Sequence, residues 1–176
     1  PEWLKWIVLL LIDKRRGYLL QQGRASGLSV WELWQRTADM AEMRSKWSDA
    51  MRDQGVDVLV YPAMPLPAFK HGLSVFLTAA CSYMFTSNML DWPSGVVPVT
   101  TVRPDEAHYR KEDLPENQRD STADVAAQIM KGSEGMPIGV SIMTPAFQDE
   151  KCLGVMKQVE RLVNFQGKPE AYKHGR

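Results

Sequence analysis

The sequence predicts an α/β fold, and three observations lead there. Three short runs rich in Val, Ile and Thr, VDVLVYP ending at Pro62, GVVPVTTV at 95–102 and PIGVSIM at 137–143, have the composition of strands. Two long segments, 29–55 and 147–165, place apolar residues three and four apart, the period of an amphipathic helix. Strand-like and helix-like segments are interleaved along the chain, as in an α/β domain.

The 176 residues are enough for one domain that buries roughly two-thirds of the surface its unfolded chain exposes. The chain opens at Pro1 inside what already reads as a helix, and we expect it to be the back part of a longer polypeptide. Twenty-one acidic and twenty-one basic residues cancel, so no global field gathers nucleic acid or another polyanion. Cys81 and Cys152 lie far apart in apolar segments. Buried, reduced thiols fit them better than a disulfide or a metal pair, and a reducing compartment follows.

The first segment, which opens PEWLKWIVLLLIDKRRGYLL and runs on through Arg24, hides a charge asymmetry within that neutral total. Lys5, Lys14, Arg15, Arg16 and Arg24 outweigh Glu2 and Asp13, beside an apolar set of Trp3, Trp6, Ile7, Leu10 and Leu11. WIVLLLI is far short of the roughly 20 residues that cross a bilayer. Its tryptophans and basic end suit a helix lying in the membrane interface; a helix packed on its own protein fits the same pattern equally well. No signal-peptide cleavage pattern can be read there.

Ser29 to Glu32, SVWE, is a capping box that starts the next helix. Leu33, Met40, Met43, Trp47 and Met51 follow at helical spacing as a core-facing stripe, and Gly55 stops it. VDVLVYP reads as a buried strand, and AMPLPAFKHG as a loop held extended by Pro65 and Pro67. LSVFLTAACSYMFTSNML carries no charge, which predicts a helix buried on most sides. The turn LDWPSG then feeds GVVPVTTV, a second buried strand. Arg103 to Lys131 reads as a solvated charged excursion with a short helix in ADVAAQIMK. PIGVSIM is the third strand, and the last helix presents Cys152, Leu153, Met156, Val159, Leu162 and Val163 on one face before a polar tail from Gln166.

Catalytic groups are sparse. His71, His108 and His174 lie in a Pro-rich loop, the charged excursion and the tail, with no nucleophile or orienting acid beside them in the sequence. There is no Gly-rich phosphate loop, no GxSxG elbow and no His/Cys spacing suited to zinc. Asp149 and Glu150 open a helix, where its dipole accounts for them.

DVLVYPAMPLPA, SYMFTSNMLDWPSGVVPVTTV, MPIGVSIMTPAFQDEKCLGVMKQVERL and the opening WLKWIVLLLI resemble, in colinear order over nearly the whole chain, the C-terminal part of the fatty acid amide hydrolases of the amidase-signature family. The resemblance implies a mixed β-sheet covered by helices across 28–176, with an N-terminal membrane-docking cap in 1–27. It implies a serine amidase that cuts lipid amides into fatty acid and amine without a cofactor or metal. Its Ser-Ser-Lys catalytic residues would lie in the portion of the family's sequence that precedes this one, so none is assigned here. Thr78, Cys81 and Phe85 would line the acyl channel, and Trp3, Trp6, Ile7, Leu10, Leu11, Lys14, Arg15 and Arg16 would dock the cap on a membrane. Implied partners are a lipid amide and a membrane surface, with a homodimer allowed; the implied location is intracellular, at the endoplasmic reticulum or another endomembrane. The rival readings are a non-catalytic, lipid-binding pseudoenzyme and a soluble amidase of small amides.

Overall fold

The structure, a computed structural model, describes residues 28–73, 77, 81–116, 119 and 121–167. The expected cap, 1–27, lies outside the described residues. The chain divides into two units, Pro1–Glu42 and Met43–Arg176. Of the first, the described part is 28–42, which opens helix α1 (Val30–Asp53). The predicted capping box forms there. The Ser29 hydroxyl donates to Glu32 Oε2 at 2.8 Å, the Ser29 amide donates to the same oxygen at 2.8 Å, and the Glu32 amide donates back to Ser29 Oγ at 3.2 Å. The Ser29 backbone bond, followed by the hydroxyl bond, holds the Glu32 carboxyl below its ordinary range. At the other end Gly55 takes the left-handed conformation, φ 64°, and closes the helix.

The second unit holds strands β1 (Leu59–Pro62), β2 (Ser94–Thr101) and β3 (Pro137–Met143), and helices α2 (Ser82–Leu90), α3 (Ser121–Met130) and α4 (Asp149–Val163). The three predicted strands are present in the order β1-β3-β2, and both pairings are antiparallel. The mixed sheet that the resemblance implied is therefore not what the described strands form. The reason is local: the Val102 amide donates to the Met136 carbonyl and the Gly135 amide to the Val102 carbonyl, both at 2.9 Å. These bonds pinch the base of the 103–134 excursion, so the chain turns back alongside β2 as a long hairpin.

The central strand sorts its residues between two clusters by simple alternation. Ile142 faces Val97 and Cys152, with Val58, Val155, Met156 and Val159 around them, which is the face α4 covers. Met143, one residue on, packs with Met51, Leu90 and Trp92. Gly95 permits the approach of α4, since a Cβ there would run into the end of the Met156 side chain. Gly139 is tighter: a Cβ would lie 2.7 Å from Val96 Cγ1 and 3.1 Å from the Val97 carbonyl oxygen. Leu66, Leu77, Ala126 and Ile129 make a third cluster that seats α3.

Several readings need correction. β1 and β2 are the outer strands, not buried ones, and each alternates; Val60 is 59% exposed and Val96 54%. Of the α1 stripe, Met51 is buried and Met43 packs against its cluster, while Leu33 and Trp47 are exposed, Trp47 although it lies between those two methionines. On α4, Leu153, Leu162 and Val163 face solvent, and Val155 takes a place in the core instead. The excursion is solvated as expected, and its charges pair at short range: Arg103 with Asp105 and Glu106, Arg110 with Asp113, and Lys111 with Asp124.

Candidate functional site

α2 is the centre of the candidate site. Cys81 caps its start, and Phe85 lies four residues on, so the two share a helical face. Thr78, the third expected member of that face, lies outside the described residues. Cys81 is half-buried and Phe85 is 42% exposed, as are Tyr83, Met84 and Met89 to a similar degree. Of the segment predicted to be a helix buried on most sides, Leu77 and Leu90 are buried among the described residues, and within α2 itself Leu90 alone. α2 touches the core through its last turn, and an uncharged, apolar face stands open beyond that.

The turn that follows is set by Asp91 rather than by the Pro and Gly of LDWPSG. Asp91 is left-handed, φ 58° and ψ 44°, and its amide and that of Trp92 both reach back to the Ser87 carbonyl. Aspartate is among the few side chains that tolerate this conformation. Trp92 is then buried, and the Pro93 carbonyl accepts the Thr144 amide at 3.2 Å, which ties the turn to the end of β3.

Arg44, which sequence reasoning did not select, meets the same turn. Its Nε donates to the Met89 carbonyl at 2.8 Å, and a terminal guanidinium nitrogen lies 3.8 Å from Asp91 Oδ2. The only sequence signal was position, one residue past Met43 on the core-facing stripe. A cavity of about 550 Å³ opens here, between Arg44, Ser45 and Ser48 of α1, the turn 90–93, and Ala146, Phe147 and Asp149 after β3. Phe147 is left-handed at φ 62° and 97% exposed, an unusual state for a bulky residue.

Among the described residues, the hydroxyl, amine and thiol groups nearest this site are engaged as follows. The Ser87 hydroxyl donates to the Met84 carbonyl at 3.1 Å, and Ser94 Oγ sits 3.2 Å from the Tyr61 hydroxyl. Lys151 is engaged with Asp57 at 2.8 Å, a bond that holds the Asp57 carboxyl below its ordinary range. Burial pushes the Cys152 thiol up, against smaller lowering contributions from Thr144 and Gly95, and its Sγ lies 3.4 Å from the Ile142 carbonyl. That thiol is a core group, not a nucleophile. Among the described residues no cluster of His, Cys, Asp and Glu could hold a metal ion, and no helix is long and apolar enough to cross a membrane. Trp3, Trp6, Ile7, Leu10, Leu11, Lys14, Arg15 and Arg16 fall outside those residues.

Comparison with known proteins places this arrangement. The model of the amidase family matches residues 14–153. Fatty acid amide hydrolase 1 of Caenorhabditis elegans is 29% identical over 163 residues, 91% of this chain. Fatty-acid amide hydrolase 1 of Sus scrofa is 34% identical over 173 residues, 93% of this chain. The chain spans 28% of the length of each. A solved fatty acid amide hydrolase structure shares the fold, with a TM-score of 0.67 at 18% identity over 82% of this chain and 25% of that one.

Proposed function

The chain belongs to the amidase family, and from that premise we propose that it is part of a serine amidase that hydrolyses lipid amides to a fatty acid and an amine. The observation that carries this reading is that two relatives named as fatty acid amide hydrolases align with more than nine-tenths of the chain. On this reading the face of α2 that bears Cys81 and Phe85, with Thr78 before it, is a wall of the acyl channel. An uncharged apolar face left open is what a lipid tail requires, since a buried charge there would go unpaired.

The catalytic serine, the second serine that relays its proton and the lysine that accepts it belong to a portion of the family's fold outside these 176 residues. The serine attacks the amide carbonyl while backbone amides hold the oxyanion, the amine leaves with the proton relayed from the serine, and water then hydrolyses the acyl-enzyme to release the fatty acid. The segment with Trp3, Trp6, Ile7, Leu10 and Leu11 docks on a membrane, where substrate is dissolved. Lys14, Arg15 and Arg16 each add about 1 kcal/mol of attraction to an anionic leaflet.

The whole protein assayed with oleamide, hexanamide and acetamide tests the reading. It predicts turnover with kcat/KM highest for oleamide. Turnover of acetamide alone would make it a small-amide amidase, and oleamide binding without turnover of any amide a pseudoenzyme. Sedimentation with anionic vesicles tests the docking. At high salt, Trp3→Ala with Trp6→Ala releases more protein than Lys14→Ala with Arg15→Ala, because screening spares apolar burial. Wild type that stays in the supernatant at low salt would overturn the docking role.

A further inference from the structure

We infer that Arg44 is a positioning residue for the channel face of α2, an inference that rests on the lipid-amidase reading for its functional consequence. The reason is how little else holds that helix. α2 is nine residues long, carries no acidic residue in its first turn and no basic residue in its last, and has no side-chain cap at Cys81. Its only buried residue is its last, Leu90. Four of its apolar side chains, Tyr83, Met84, Phe85 and Met89, are exposed by two-fifths or more and so contribute little packing to fix its direction.

A helix end leaves its last carbonyls without partners inside the helix. Here the Ser87 carbonyl is taken by the two amides of the Asp91 turn, and the Met89 carbonyl is taken by Arg44 Nε at 2.8 Å. A guanidinium at a helix C-terminus also opposes the negative end of the helix dipole. The same side chain reaches Asp91, the residue whose left-handed conformation sets the angle between α2 and β2. Arg44 therefore clamps both the last turn of the helix and the corner after it. Cys81 sits at the far end, about 13 Å along the axis at 1.5 Å per residue. A tilt at the clamped end moves Phe85 and Cys81 with it.

Two variants separate the parts of the clamp. Arg44→Ala removes everything. Arg44→Gln places an amide nitrogen where Nε stood, so it keeps a donor for the Met89 carbonyl while losing the charge and the reach to Asp91. In the whole protein, Arg44→Ala should raise KM for oleamide about tenfold, equivalent to ~1.4 kcal/mol, with kcat for hexanamide unchanged, and Arg44→Gln should restore most of the loss. The rate at which maleimide labels Cys81, read by peptide mass mapping, should shift several-fold in Arg44→Ala and return in Arg44→Gln. An equal loss on both amides, or no change in either, would overturn the inference, as would a Cys81 rate that does not move. If Arg44→Ala fails to fold, Arg44→Met, which keeps the apolar stem and removes the donor to the Met89 carbonyl, takes its place: a raised KM for oleamide and a shifted Cys81 rate, both returned in Arg44→Gln, support the clamp, and wild-type values or an equal loss on both amides overturn it. Should the wild type hydrolyse no lipid amide, the lipid-amidase reading fails, and the Cys81 rates still judge the positioning claim by themselves.

Discussion

α2 and β3 look alike in sequence and differ in the fold. SYMFTSNML and PIGVSIM are both uncharged runs of mainly apolar residues, yet Ile142 and Met143 of β3 are fully enclosed while Tyr83, Met84, Phe85 and Met89 of α2 stand open. The difference lies in the neighbours. β3 has a strand on each side, α4 over one face and the Leu90–Trp92 cluster on the other, whereas α2 has a seat only for its last turn. An apolar run therefore states that water is to be kept away, without stating whether core or ligand does so.

Stability measurements sharpen that contrast. Ile142→Ala should cost about 2–5 kcal/mol in urea unfolding, the range for emptying a closed core site, and Phe85→Ala less than about 1 kcal/mol. Comparable losses would mean that α2 is core after all. Gly139→Ala comes next, at about 1–3 kcal/mol, since its methyl group must displace Val96 and press on the Val97 carbonyl in the middle of the sheet. A neutral Gly139→Ala would show that β2 can shift to make room, and that the sheet is looser than its register suggests.

The smallest effect belongs to the capping box. Because folding lowers the Glu32 carboxyl pKa, its contribution is present above the unfolded carboxylate range and is lost as pH falls through the lowered value. Protection of the first α1 amides from hydrogen exchange should fall over that interval in wild type and be low at every pH in Ser29→Ala. Flat protection in wild type would remove Glu32 from the cap.

What could be read in the sequence was what depends on neighbours along the chain. The capping box needs only Ser29 and Glu32, the α1 stop only Gly55, and β3 only its own composition, and each is where it was expected. Burial was harder, because it depends on residues far away: β1 and β2 read as buried from Val60 and Val96, whose exposure is set by their outer position in the sheet. Arg44 was invisible for the same reason, since its partner Met89 is 45 residues distant. Asp91 and Phe147 share another obstacle. Neither is a glycine, so nothing in the sequence announced their left-handed backbone.

The central claim is that the open face of α2 receives a lipid tail. Replacing Phe85 by Ala in the whole protein and comparing kcat/KM for oleamide and hexanamide tests it most directly. Loss of an aromatic wall worth roughly 1.5–3 kcal/mol of apolar burial should lower the value for oleamide about ten- to a hundredfold and leave hexanamide within about twofold. An equal fall for both amides would contradict the claim and make Phe85 a packing residue.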